Sequence, residues 1–142
     1  MARIRLDFPS DAVVFSHSVV VRIGDVNYWN HLGHDALVSL LHEARAQMFA
    51  SAGLDEGNTE GMGCVVADLA VSYKAEARFG AALKIDIARG EVERYGCELY
   101  YRVSCQDNGS LIALAKTGHV FFRDRKPVLA PIPSSFLRLL KP

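Results

Sequence analysis

The sequence predicts an α+β domain in which one curved antiparallel sheet wraps round one long central helix. Three observations lead there. One stretch, residues 34–52, repeats its apolar residues at spacings of three and four, the period of a helix. Residues 13–23 and most of 64–123 instead carry the β-branched or alternating pattern of strands. The length of 142 residues, half of them hydrophobic, suits a single domain over 1–142 with its own core.

The elements follow in order. Residues 13–23, Val-Val-Phe-Ser-His-Ser-Val-Val-Val-Arg-Ile, read as a strand from their β-branched content. The helix of 34–52 carries Leu37, Leu40, Leu41, Ala44, Met48, Phe49 and Ala52 on one stripe. Asp35 stands near its start, where the dipole favours an anion, and Gly53 follows its last turn. Ala36, Val38, Ala46 and Ala50 lie off the stripe, so the helix is apolar round most of its circumference and is expected to be enclosed. Residues 54–63 form a loop rich in Gly, Asn and Asp.

Four strands are expected next, over 64–73, 83–94, 97–105 and 111–123, read as a meander. Leu83, Ile85 and Ile87 alternate with Lys84 and Asp86, and Cys97, Leu99, Tyr101, Val103 and Cys105 with Glu98, Tyr100, Arg102 and Ser104. Tyr95-Gly96 and Asp107-Asn108-Gly109 mark tight hairpins. Pro127, Pro131 and Pro133 end the sheet, and 134–140 is a short amphipathic helix capped by Ser134 or Ser135. One helix leaves part of such a sheet bare, so a second copy at an exposed edge or face is expected, as a homodimer or homotetramer.

Composition narrows the function. The net charge is +0 and the pI about 7.0, which gives no reason to expect nucleic acid or an anionic membrane as partner. No apolar run reaches the ~18 residues of a membrane helix. Cys64, Cys97 and Cys105 are an odd number without CxxC spacing, so neither a disulfide framework nor a metal site is expected. The start has two arginines but no apolar h-region, which points to the cytoplasm.

The most informative segment is 22–45. There a strand enters a polar loop with Asp25, Asn27, Asn30, His31 and His34, and the loop opens into the helix. Carboxylate, amide and imidazole groups thus collect where backbone N–H groups are unpaired and the helix dipole is positive, a place suited to a developing negative charge.

Asp25-Val-Asn27, Asn30-His31-Leu32-Gly33-His34 and His42-Glu43-Ala44-Arg45 together resemble the hotdog-fold acyl-CoA thioesterases, in particular the 4-hydroxybenzoyl-CoA thioesterase-like branch. The element order matches over nearly the whole chain, and the sharp motif covers about one sixth of it. The resemblance implies hydrolysis of an acyl-CoA thioester, with coenzyme A entering as part of the substrate and no separate cofactor. It also implies sites at a subunit boundary, and an oxyanion-binding amide at or beside His34, with Gly33 allowing close approach. One position departs. Asn27 stands where the family has its catalytic carboxylate, and an amide is neither a general base nor a carboxylate nucleophile.

Another group must then activate water. Glu43 on the helix, His31 and Asp25 are the candidates, with Asn27 orienting the carbonyl or the water. Each has a structural alternative: Asn27 and Asn30 as Asx-turn residues, Glu43 paired with Arg45 or His42 on a solvated face. Asp68 is a charge in an apolar strand that either faces solvent or reaches a partner's loop to help bind substrate. Lys74 and Arg78, with Arg123, Arg125 and Lys126, are candidates for the coenzyme A phosphates or ordinary surface charges. Cys97 and Cys105 read as packing thiols. The rival readings are a non-catalytic acyl-ligand binding module, favoured by Asn27, and hydration of an unsaturated acyl thioester by His31 and Glu43.

Overall fold

A computed structural model of the chain describes residues 1–123 and 126–142. The strands are β1 (Val13–Val20), β2 (Met62–Tyr73), β3 (Ala82–Val92), β4 (Gly96–Cys105) and β5 (Leu111–Arg123), and the helices α1 (His34–Ser51) and α2 (Ser134–Leu139). Short 3-10 turns cover Ser10–Ala12 and Ile23–Asp25. The five strands form one antiparallel sheet in the order β1-β3-β4-β5-β2, curved round α1.

This order corrects the expected four-strand meander. Only β3, β4 and β5 follow one another as hairpins; β2 lies on the far side of β5, with Val71 opposite Ala115. Residues 74–81 therefore cross from one edge of the sheet to the other. They end against the exit of β1, where Val21 donates to the Ala81 carbonyl at 2.9 Å and Gly80 to that of Val21 at 2.8 Å. Both edge strands are thus paired with partners distant in sequence, which local alternation does not reveal.

The inner face of the sheet supplies Leu83, Ile85, Ile87, Leu99, Tyr101, Val103, Ala113, Ala115 and Phe121, all buried against Leu37, Leu41, Ala44, Met48 and Phe49 of α1. Phe136 of α2 closes this core, stacked on Phe49 at 5.0 Å and tilted against Phe121 at 5.2 Å. Burying each such ring contributes roughly 1.5–3 kcal/mol. The helix itself is not enclosed in the single chain: Asp35, Ser39, His42, Glu43, Gln47 and Ala50 are exposed. With one sheet and no second layer, only one flank is covered.

The start of α2 also differs from expectation. Its N-cap is Pro133, without a side-chain cap. Instead the carboxylate of Glu60 accepts from the Ser135 N–H at 3.0 Å and from its hydroxyl, and these bonds hold the Glu60 carboxyl below its ordinary range. An anion at the positive end of the helix does the capping.

On the outer face Asp86 points away from the core yet is only 3 % exposed. Arg102 donates to it at 2.9 and 3.2 Å, and Ser16 donates from β1. Burial pushes its carboxyl up, but these hydrogen bonds outweigh burial and hold it low. Arg102 in turn carries the N-terminal arm, with its guanidinium 4.4 Å from the centre of the Phe8 ring.

Candidate active site

The site is assembled where β1 runs out. After Val21 the chain makes a 3-10 turn, and Asp25 closes it by accepting from the Arg22 N–H at 2.8 Å and from its guanidinium at 3.4 Å. Asp25 is buried by this role. The next turn is closed by Asn27, whose side-chain oxygen accepts from the N–H groups of Trp29 at 2.9 Å and His31 at 3.3 Å. Asn30 takes a positive φ of 62°, which Asn tolerates better than most residues. The Asx-turn reading of Asn27 is therefore observed, and its amide NH2 remains as a donor. Tyr28 and Trp29 stand at the tip, 91 % and 67 % exposed, in an edge-to-face pair.

The crossover segment fixes the other side of this loop. Leu32 donates to the Ala77 carbonyl at 2.7 Å, and His31 pairs with Arg78 through a backbone bridge. This brings the His31 ring Nε2 to 3.1 Å from the Glu76 carboxylate. Gly33 is then the N-cap of α1, its N–H bonded to the Asp25 carbonyl at 2.9 Å. A β-carbon on Gly33 would fall 2.7 Å from the Asp35 carboxylate. No side chain caps Gly33, so the first-turn N–H groups of His34, Asp35 and Ala36 are left for water or a ligand. Across from them Tyr73, at the end of β2, donates its hydroxyl to the His34 carbonyl at 3.0 Å. Burial raises the Tyr73 phenol first, and the nearby Asp35 charge raises it further.

The structure thus brings Asn27, His31, Gly33 and His34 into one corner. Asp25 and Glu43 are brought together elsewhere, lining a cavity of about 480 Å³ with His17, Arg22, Ser39 and Leu40 between β1 and α1. Glu43 pairs with neither Arg45 nor His42; its Oε1 accepts from Gln47 at 3.3 Å. Asp68 lies on the outer face of β2, opposite Gly118, with its carboxylate 2.8 Å from Lys116. That hydrogen bond holds the Asp68 carboxyl low. Lys74 and Arg78 both lie on the crossover, exposed, while Arg125 is outside the described residues.

Two features escaped the sequence reading. Glu76, the partner of His31, carries no local signal, because only the crossover path places it there. The second is a buried polar chain beneath α1. Arg45 donates to Glu56 at 2.9 Å and to the Tyr101 hydroxyl at 3.2 Å. Tyr101 is hydrogen-bonded to Thr117 at 2.7 Å, Thr117 to His119 at 2.6 Å, and His119 to the Cys64 thiol at 3.5 Å. Burial pushes His119 down to about 3 and Cys64 far up, so the imidazole is neutral and the thiol protonated. The signal available was Arg45 on the apolar stripe between Leu41 and Met48.

Against this geometry, a family model described as the thioesterase-like superfamily matches residues 21–140. The chain belongs to the thioesterase-like superfamily. Its fold is the hotdog fold shared by similar solved structures. One is a 1,4-dihydroxy-2-naphthoyl-CoA thioesterase from Synechocystis, 19 % identical, with a TM-score of 0.82 over 89 % of this chain and 94 % of that one. Another is a DHNA-CoA thioesterase from Staphylococcus aureus, 16 % identical, with a TM-score of 0.76 over 87 % and 84 %. A third, also from Staphylococcus aureus and solved in complex with CoA, is 15 % identical with a TM-score of 0.80 over 89 % and 80 %. No curated protein matches this superfamily member by sequence. Among the described residues no group of three or more His, Cys, Asp or Glu could hold a metal ion, and no helix is long and apolar enough to cross a membrane.

Proposed function

We propose that the chain hydrolyses an acyl-CoA thioester to the free acid and coenzyme A, with the thioester carbonyl at the uncapped first turn of α1. The observation that carries this reading is the convergence of that turn with His31 and its Glu76 partner. The first-turn N–H groups bind the oxygen that becomes negative as water attacks the carbonyl carbon. His31 takes the proton from water, with Glu76 holding the ring, and the C–S bond then breaks. The proton passes from His31 to the departing thiolate. Asn27 donates from its amide NH2 to the carbonyl or to the attacking water. Asp25 is tied to its own turn, and Glu43 opens on another cavity, so His31 is the base best placed for this step.

The active unit is a homodimer or larger homo-oligomer in this reading. On the inner face of the edge strand β2, Val66, Leu69 and Tyr73 are 41–44 % exposed, and a second copy along β2 would cover them beside the helix start. Three free cysteines accord with a cytoplasmic setting. The scheme needs only side chains, backbone N–H groups and water, without a separate cofactor.

The direct test is thiol release from a panel of aliphatic and aromatic acyl-CoAs. Turnover above buffer that falls in His31→Gln is expected; no turnover with any substrate at high protein concentration would overturn the proposal. One observation favours a second reading, a binding module without catalysis: the Asn27 oxygen is already engaged where the family resemblance leads one to expect a carboxylate. Calorimetric binding of acyl-CoA without hydrolysis would establish that alternative.

A further inference from the structure

The first nine residues form no helix or strand, yet their course over the sheet is defined. Phe8 rests on Arg102, which also donates to Ser10 at 3.3 Å. Arg102 belongs to one row of side-by-side residues across the outer face, Asp86, Arg102, Leu114 and Ser72, and the arm meets this row at Arg102 and again at Ser72. It ends over β2, where residues 1–5 meet Ser72 and Lys74 round a cavity of about 460 Å³.

The charged side chains lining that cavity are Arg3, Arg5 and Lys74, with no carboxylate among them. Among the described residues none of the three is in an ion pair, although the chain as a whole carries net charge +0. Three exposed cations without a carboxylate partner round one hollow repel each other and favour an anion between them. Two guanidinium forks with an ammonium group suit phosphate oxygens in particular.

Position gives the anion its identity. Ser72 and Lys74 flank Tyr73, and alternation sends the Tyr73 side chain to the inner face, where it meets the His34 carbonyl. A molecule reacting at the helix start and passing round the C-terminal end of β2 would bring its far end under the arm. We propose that the N-terminal arm and Lys74 form a phosphate-binding cavity for the nucleotide end of a coenzyme A ester. This rests on the thioesterase reading above, and it assigns the arm a binding role.

The probe is adenosine 3′,5′-bisphosphate, titrated calorimetrically into the full chain and compared with phosphopantetheine. The bisphosphate is expected to bind with an affinity that falls as salt rises. Arg3→Ser with Arg5→Ser, and separately Lys74→Ala, should weaken it about tenfold or more, and should raise KM for acyl-CoA more than they lower kcat. Phe8→Ala, which removes no charge but releases the arm, should weaken it as well. No bisphosphate binding, or binding that the double variant retains, would overturn the inference. Competition by phosphopantetheine alone would overturn the nucleotide assignment in favour of a carrier protein. Acyl-CoA turnover with an unchanged KM in the variants sinks the arm's role and leaves hydrolysis standing. Bisphosphate binding lost in the variants, without any turnover, supports the cavity and sinks hydrolysis instead.

Discussion

Tyr73, the last residue of the edge strand β2, donates its hydroxyl to the carbonyl of His34, the first residue of α1, at 3.0 Å. The bond ties a sheet edge to the helix start across 39 positions of sequence, at the corner proposed above to receive the thioester carbonyl.

Tyr73→Phe removes that bond and nothing else. The site is exposed, so unfolding in urea should change by no more than about 1 kcal/mol. Turnover of acyl-CoA should fall about tenfold, because the first turn is no longer held against β2. Steady-state kinetics beside a urea titration separate the two effects; a stable variant with full activity would remove Tyr73 from the site.

His31 and Glu76 divide the work differently. His31→Gln should lower kcat on the order of 100-fold or more, the usual contribution of a positioned base. Glu76→Gln keeps the shape and a hydrogen bond but loses the charge, so kcat should drop while KM stays close to wild type. An equal rise in KM would mean that Glu76 shapes the binding surface instead.

The Arg45–Glu56 pair is a stability matter. Arg45 is 6 % exposed, and the Glu56 Oε1 atom is already buried without a hydrogen bond. Arg45→Met alone leaves the carboxylate with only the His42 ring, 3.8 Å away, beside it and should cost about 3 kcal/mol. Adding Glu56→Leu should recover part of that loss. A double variant less stable than the single one would contradict this account.

His119 sets a pH dependence. Its folded pKa, pushed down to about 3 mainly by burial, lies below the ordinary 6.5, so between these values the unfolded chain binds the extra proton. Stability is therefore full above about pH 6.5 and falls as pH drops toward 3, by up to ~1.4 kcal/mol per unit from this residue. Chemical denaturation at pH 7, 6 and 5 should show the slope, and His119→Gln should flatten it.

The parts of the fold legible in the sequence are those decided by neighbours in the chain. Alternation in β3 and β4 and the glycine-bearing turns gave the hairpins, and β5 runs over 111–123 as expected. The placement of β2 was hidden, because pairing with β5 depends on a crossover whose residues show no period. The same holds for the site. The segment 22–45 marked the corner, but Asn27 accepts within its own turn, and His31 gains its carboxylate from a distant loop. Asp86 reads as an exposed strand charge, yet Ser16 of β1 and Arg102 of β4 close over it, partners that lie 70 and 16 residues away. Arg45 sits on an apolar stripe, and its partners lie on elements 11 and 56 residues away.

The strand order also sets a sequence of events. β3, β4 and β5 close by short hairpins, whereas β1 and β2 must each find a partner 40 or more residues away, the slower kind of pairing. The candidate site stands on the exit of β1, the end of β2 and the crossover between edges. It is therefore expected to be the last part of the molecule to assemble and the first to open. Amides of Leu32 and Gly33 should exchange hydrogen well before those of Leu99 and Tyr101, and warming should abolish the proposed acyl-CoA turnover while the central hairpins are still intact.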